Sequence, residues 1–461
     1  MESKYIINTN PEGNSVNIIK FVMITLATAL LVLLGTHYWI FTCIAFLVAS
    51  GAIVLFDQIA LPYILFLVPL ASIFKISPES MSLLTLLQIV YVGYFFFKRK
   101  EYDAQMIKIL SLMIYVIIVS SFCGSVEILV YIKLFSKLMF LWVAFKEIKE
   151  RTFNSKQETL CEYAYIVGTL TAIIFSYLNS SFFPIRTYIE QRVELFGSEE
   201  EAIVRFSGLA GDANYFAVGV IISMCLCVIL LFRNEMHFIT FFAFFSLLFF
   251  ATAATGSKSA MIMIVWPVAL FLLSNNMKRR YFLSIAVIIC ICFVAFYVFN
   301  GRITIFDNTI RRFRKGTNGV ESLTTGRTTI WLAIIEYFFA YPASFFLGNG
   351  ASTYVFYLHS IKKAAHNAYI DLVYQLGLVG TVLFINILYC IIKSNKRGRN
   401  ILNYSIFVSI SVMYMFLNQF SDYEWPFHII IAALVLYSDL SVNKQTTYND
   451  HISRKYKYLR I

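Results

Sequence analysis

HNAYIDLVYQLGLVG, residues 366–380, decides how the rest of the chain is read. A long polar interval, 300–365, ends at its histidine, and an apolar run that continues to residue 392 begins there. A hydrocarbon core about 30 Å thick takes roughly 17–25 such residues per helix. Working outward, runs of similar size recur near 18–35, 38–56, 59–74, 81–97, 106–122, 126–145, 160–178, 214–232, 238–255, 258–274, 281–299, 401–418 and 426–440. Charged or Pro/Gly/Asn-rich breaks separate them. The segments at 59–74 and 426–440 are short and the turn after 255 is tight, so the expected number of spans is about 12–14. Hydrophobic residues make up 59% of the 461 and charged residues 14%, more apolar surface than a soluble fold can hide. The fold class expected is all-α: a polytopic integral membrane protein, with 1–461 as a single membrane-embedded domain.

The polar start, MESKYIINTNPEGNSVN, has neither the basic n-region nor the small-residue cleavage site of a secretory signal, so the first helix is expected to stay. Eight cysteines are scattered in apolar runs. Cys225/Cys227 and Cys290/Cys292, two apart on helices, point to different sides, so all eight read as core packing rather than as metal ligands.

Orientation follows the Lys/Arg bias of short connections. With a cytoplasmic N-terminus, KRK (98–100), KEIKERTFNSK (146–156), Arg233, KRR (278–280) and KSNKRGR (393–399) all fall inside, and both termini are cytoplasmic. Two large loops, 179–213 and 300–365, then face outward. Within the second, TTIWLAIIEYFFAY (328–341) is apolar enough to suggest another span. Accepting it would put KSNKRGR outside, and Glu336 and Pro342 shorten it, so it reads as a helix in the outer interface. The loop 300–365 carries eight Lys/Arg against three acids, while 179–213 carries Arg186, Arg192 and Arg205 against six acids, including the run at 199–201. Together they suit a multiply anionic ligand, since guanidinium forks match phosphate oxygens. A solvated loop or contact with anionic headgroups would carry the same charge.

No phosphate-binding GxxxxGK[ST], GxSxG, HExxH or spaced CxxC pairs occur. Chemistry must come from polar groups at helix ends. In RFSGLAGDANYFA (205–217), Arg205 precedes a Gly-rich turn and Asp212 caps a helix starting near Asn214. In ATGSKSA (254–260), Lys258 opens the next span, as a headgroup anchor or a phosphate seat. In GRTTIW (326–331), Arg327 opens the interfacial helix and Trp331 anchors it one turn later. In the opening stretch, a helix would place His366, Ile370, Val373 and Gly377 on one face and Asn367, Asp371 and Tyr374 on the next. Lys133 and Lys137 lie within an apolar run, Lys137 roughly 12 Å from the inner helix end at 1.5 Å per residue, where cations face a cavity or partner unless they snorkel.

In order and spacing, RFSGLAGDANYFA, TGSKSA, GRTTIW followed by LGNG (347–350), and HNAYIDLVYQLGLVG resemble the membrane glycosyltransferases of the O-antigen ligase and Wzy-type polysaccharide polymerase superfamily. The blocks cover about 205–380. The resemblance implies an all-helical enzyme of the bacterial cytoplasmic membrane that transfers glycan from an undecaprenyl-pyrophosphate carrier on the outer face. It implies that Arg205 and Arg327 hold the donor pyrophosphate and that His366 assists the acceptor hydroxyl. Lys258, Lys133, Lys137, Asn367, Asp371, Asn214 and Arg186 are the further substrate-binding candidates. Where many relatives carry arginine in the second block this chain has Lys258, so a bidentate phosphate contact is lost there. Lipid-linked glycans as donor and acceptor, the bilayer, and flippase and chain-length regulator proteins are the implied partners, with no cofactor, metal or nucleic acid. Polymerase is the first expectation, since two anionic carriers suit cations spread over both loops; ligase onto a lipid A core and a lipid-linked oligosaccharide flippase are the alternatives.

Overall fold

Inside a bilayer a backbone amide has no water to bond, so a chain this apolar satisfies its own peptide groups as helix. The computed structural model describes residues 18–99, 103–124, 127–149, 155–189, 194–195, 202–203, 206–267, 327–351, 365–393, 404–417 and 425–437. Its helices are α1 (Ile18–Gly35), α2 (Trp39–Leu55), α3 (Asp57–Leu67), α4 (Leu83–Arg99), α5 (Ala104–Phe122), α6 (Ile128–Lys149) and α7 (Ser155–Tyr177). The short α8 (Ile185–Tyr188) follows, then α9 (Ala213–Phe232), α10 (Phe238–Ala254) and α11 (Lys258–Met263). The C-terminal part holds α12 (Arg327–Ala340), α13 (Pro342–Leu347), α14 (Ala368–Lys393), α15 (Ser405–Tyr414) and α16 (Trp425–Tyr437). Six segments, in α1, α5, α6, α7, α9 and α14, are long and apolar enough to cross a membrane, and six shorter apolar helices accompany them. The all-α polytopic reading holds. The only strands among the described residues are Glu194–Leu195 and Ala202–Ile203, an antiparallel pair in the first large loop. The expected span at 281–299, the end of the span 258–274 from residue 268 on, and most of the loop 300–365 lie outside the described residues.

The core is centred on α9. Its residues Phe216 to Leu231 are all buried, which a helix apolar on every side allows without stranding a charged group. It packs on α7, α10 and α15; α3 lies against α7, α4 against α6, and α5 between α6 and α14. By contrast α1 and α5 each leave a row of large apolar side chains exposed, Ile19, Met23, Leu26 and Leu30 on α1, as a lipid-facing helix should. The tertiary contacts bring one polar group into this core unheralded: His428 of α16, fully buried, bonds the Tyr414 hydroxyl through Nδ1 (2.9 Å) and the Tyr165 hydroxyl through Nε2 (3.2 Å).

Of the cysteines, Cys161, Cys225 and Cys227 are buried as core packing requires, but Cys43, Cys123 and Cys390 are half-buried, and Cys390 Sγ accepts a bond from Lys108 Nζ at 2.9 Å. Cys290 and Cys292 lie outside the described residues.

At the C-terminal end of α9, Arg233 pairs with Glu162 of α7 and lies 3.3 Å from Glu235. Glu162 is wholly buried and its second oxygen has no hydrogen-bond partner. Removing one member of such a pair strands a charge, at a cost of about 3–5 kcal/mol, whereas replacing both by apolar groups is far less costly. Arg233→Leu is therefore expected to lower the thermal midpoint of the purified protein strongly, and Glu162→Leu/Arg233→Leu to recover most of the loss; equal midpoints for the single and double variants would contradict this.

Candidate functional site

Because α9 begins and α10 ends at the same end of the bundle, the first two sequence blocks meet there. Asp212 is the N-cap of α9, its Oδ1 accepting from the Asn214 N–H at 2.7 Å. The turn before it needs Gly208, at φ +53°, because a Cβ there would sit 2.2 Å from the Phe216 ring. Phe206, the residue after Arg205, donates its N–H to the carbonyl of Ala254 at 3.2 Å. Arg205 itself lies outside the described residues. On the other side, Ser257 caps α11 and donates its hydroxyl to Asn214 Oδ1 at 2.8 Å. Lys258, the first residue of α11, is half-buried beside that bond. So Asn214, expected to bind substrate, has its carbonyl oxygen committed to joining two loop-to-helix turns.

The third and fourth blocks form a second bonded pair. Arg327 starts α12, and its guanidinium carbon lies 6.0 Å from the Phe416 ring centroid, within cation–π range. One turn on, Trp331 Nε1 donates to the carbonyl of Ala365 at 2.8 Å, the residue just before His366. Two of the three expected catalytic residues, Arg327 and His366, are thus carried by adjoining segments. The helix does not, however, begin at His366. That residue has φ +48°, a left-handed conformation that breaks the backbone run, and α14 starts at Ala368. Asn367 is its cap, with Oδ1 accepting from the N–H groups of Tyr369 (3.0 Å) and Ile370 (3.2 Å). His366 therefore does not share a helix face with Ile370, Val373 and Gly377, as the periodicity suggests; it is half-buried on the turn that leads into the helix. Asp371 is 1% exposed, takes a bond from Gln375 Nε2 at 3.0 Å, and leaves its other oxygen without a hydrogen-bond partner.

α14 is two helices rather than one. Gly377 has φ +64° and ψ 178°, which interrupts the i to i−4 ladder and frees carbonyls upstream. The LGNG segment supplies their donors. Asn349 N–H approaches the carbonyls of Tyr374 and Gln375 (3.2 and 3.1 Å), Gly350 N–H donates to Gln375 O (2.9 Å), and Asn349 Nδ2 donates to Tyr374 O (3.0 Å). From α5, the Tyr115 hydroxyl bonds the carbonyls of Leu376 (3.0 Å) and Leu347 (2.8 Å). The two backbones touch: a Cβ on Gly348 would lie 2.4 Å from Gln375 O, and one on Gly377 would lie 2.3 Å from Gly348 N. Asn349 Oδ1 in turn accepts from the Tyr337 hydroxyl of α12 at 2.9 Å. Burial raises the Tyr337 pKa above the ordinary tyrosine value, which keeps that hydroxyl a donor.

Between the two bonded pairs stands α15. It packs on α9 and α11, its Ser411 carbonyl accepts from the Tyr369 hydroxyl at 2.9 Å, and Phe416 beyond its end faces Arg327. Lys137 is buried and Lys133 half-buried on α6, whose main neighbours are α4, α5 and α16 rather than these blocks. Arg186 is exposed on α8, its N–H held by Asn179 Oδ1 at 2.9 Å. Among the described residues no three His, Cys, Asp or Glu side chains stand close enough to hold a metal ion. Tyr115, Tyr337 and Asn349 carry no local sequence signal of their role. The glycines do carry a signal: Gly377, like Gly348 and Gly350 of LGNG, hints at a close backbone approach there.

Residues 241–385 match the O-antigen ligase family model. The matched stretch is under half of the chain, contains the second, third and fourth blocks, and leaves the first outside. No curated protein and no solved structure matches. The similarity to the O-antigen ligase and Wzy-type superfamily read from the motifs thus holds over 241–385, and it supports a membrane enzyme of ligase or polymerase type.

Adding a methyl at the backbone crossing tests the broken helix directly. Gly377→Ala faces both a steric clash and a left-handed φ, a strain of about 1–3 kcal/mol. The expected outcome is a lower melting midpoint and faster amide exchange over 374–380, and a variant that melts and exchanges like the parent would mean that this contact is not made.

Proposed function

We propose that this protein is a membrane glycosyltransferase that polymerises undecaprenyl-pyrophosphate-linked oligosaccharide repeat units into O-antigen, capsule or exopolysaccharide at the outer face of the bacterial cytoplasmic membrane. The observation that carries the reading is the Trp331–Ala365 bond, which sets the segment bearing Arg327 beside the turn bearing His366. In the proposed reaction the acceptor sugar hydroxyl forms a bond to the donor's anomeric carbon while the bond from that carbon to the pyrophosphate oxygen breaks. The lipid pyrophosphate leaves with its electron pair, and Arg327 and Arg205, with Lys258, neutralise the charge that develops on it. His366 takes the hydroxyl proton, a general-base role open to an imidazole held on the turn before the helix, with Asn367 capping that helix and Asp371 as a further support. Lys133, Lys137 and Arg186 are proposed as contacts of the carrier or glycan away from the reacting atoms. The cationic clamp would replace the divalent ion that many phosphate-releasing transferases use. The orientation proposed has both termini in the cytosol and the site facing outward, as the basic short connections favour.

The matching family's description favours a second reading, transfer of the lipid-linked glycan to a lipid A core. Purified protein incubated with an undecaprenyl-pyrophosphate oligosaccharide, with and without lipid A core, separates the two. A ladder of products supports polymerisation, a single addition to lipid A core supports ligation, and no product in either mixture refutes both. His366→Ala is expected to slow product formation by about 10²-fold or more, the usual worth of a positioned general base.

A further inference from the structure

Hydrogen bonds tie α12 to the first half of α14 at two places among the described residues, beside the apolar contact of Ile334 with Ala365 and Tyr374. One is the Trp331 indole on the Ala365 carbonyl; the other is the chain from the Tyr337 hydroxyl through Asn349 to the Tyr374 carbonyl. The helices run in the same direction, since Trp331 meets Ala365 and the Tyr337 ring lies 5.6 Å from that of Tyr374. With one attachment α12 can pivot; with two its angle is set. Asparagine suits the middle position because its amide donates and accepts at once, where aspartate offers no donor and leucine neither group. Asn349 is 1% exposed, so no water replaces a lost bond.

We propose that Asn349 and Tyr337 are positioning residues that set the separation of Arg327 from His366, an inference that rests on the glycosyl-transfer reading above. With the Tyr337 attachment gone, α12 pivots on Trp331, four residues from Arg327 and about 6 Å along the helix at 1.5 Å per residue. Rocking by about 10° over that length displaces the guanidinium by about 1 Å, enough to cost a reaction up to about 10²-fold when the charge it must meet develops at one place. Neither residue need touch the substrate. Tyr115 secures the same crossing from α5, so the crossing itself survives the loss of one hydroxyl.

The experiment uses the full chain in nanodiscs with Tyr337→Phe, Asn349→Asp and the double variant. Glycosyl transfer is read with undecaprenyl-pyrophosphate oligosaccharide. Pulsed electron-spin distances are read between labels on ketone side chains introduced at Leu332 and Tyr369, both exposed. The expected result is a fall in kcat of about ten-fold or more with KM within about two-fold, a broadened label distance, and a double variant no worse than Asn349→Asp alone. A merely structural role would lower the amount of folded protein or its melting midpoint and leave kcat per folded molecule unchanged; that result overturns the proposal, as does an unbroadened distance. If distances broaden in a protein whose parent transfers no glycan, positioning by the clasp stands and the enzyme reading falls.

Discussion

The structure turns on an unmet backbone group. A helix broken within a membrane protein leaves carbonyls that neither water nor lipid can bond, so such a break persists only where protein supplies the donors. Gly377 creates it in α14, and Asn349, Gly350 and Tyr115 meet it from two other segments. Segments far apart in sequence are thereby tied to one crossing: α5, the α12–α13 pair and both halves of α14. The glycines at 348 and 377 are the condition for that closeness, since either Cβ would enter the opposing backbone.

The same bonds give the polar residues their places. Asn214, Asn367 and Asp212 spend oxygens on joining or capping helices, and Ser257 bridges two turns, so the rigid frame of the site consumes groups that composition alone would assign to substrate. Arg327 and Lys258 open their helices, and His366 sits on a left-handed turn ahead of one. In the reaction proposed above, these cationic groups at helix starts would catch the departing diphosphate, a task that needs fixed charge more than covalent chemistry.

Buried polar groups elsewhere follow another logic. The Glu162–Arg233 pair and the Tyr414–His428–Tyr165 chain lock α7 to α9 and α15 to α16 within the apolar core. In such surroundings a polar partner is costly to lose, so these contacts specify which helices neighbour one another, a choice that apolar packing alone leaves loose.

Sequence alone determined the fold class, nearly every helix among the described residues, the cap at Asp212, and the similarity to the O-antigen ligase family over 241–385, because spans follow from hydrophobic length and a cap from neighbours two residues apart. Tertiary structure alone decided that α14 breaks, that the left-handed turn at His366 precedes the helix rather than beginning it, and that Tyr115, Tyr337, Asn349 and His428 matter. Each of those depends on donors and acceptors that meet across tens to hundreds of residues, as Tyr115 meets Leu376 and Tyr165 meets His428. A hydropathy pattern records how much of a helix avoids water, and it carries no trace of which distant hydroxyl will close a broken ladder.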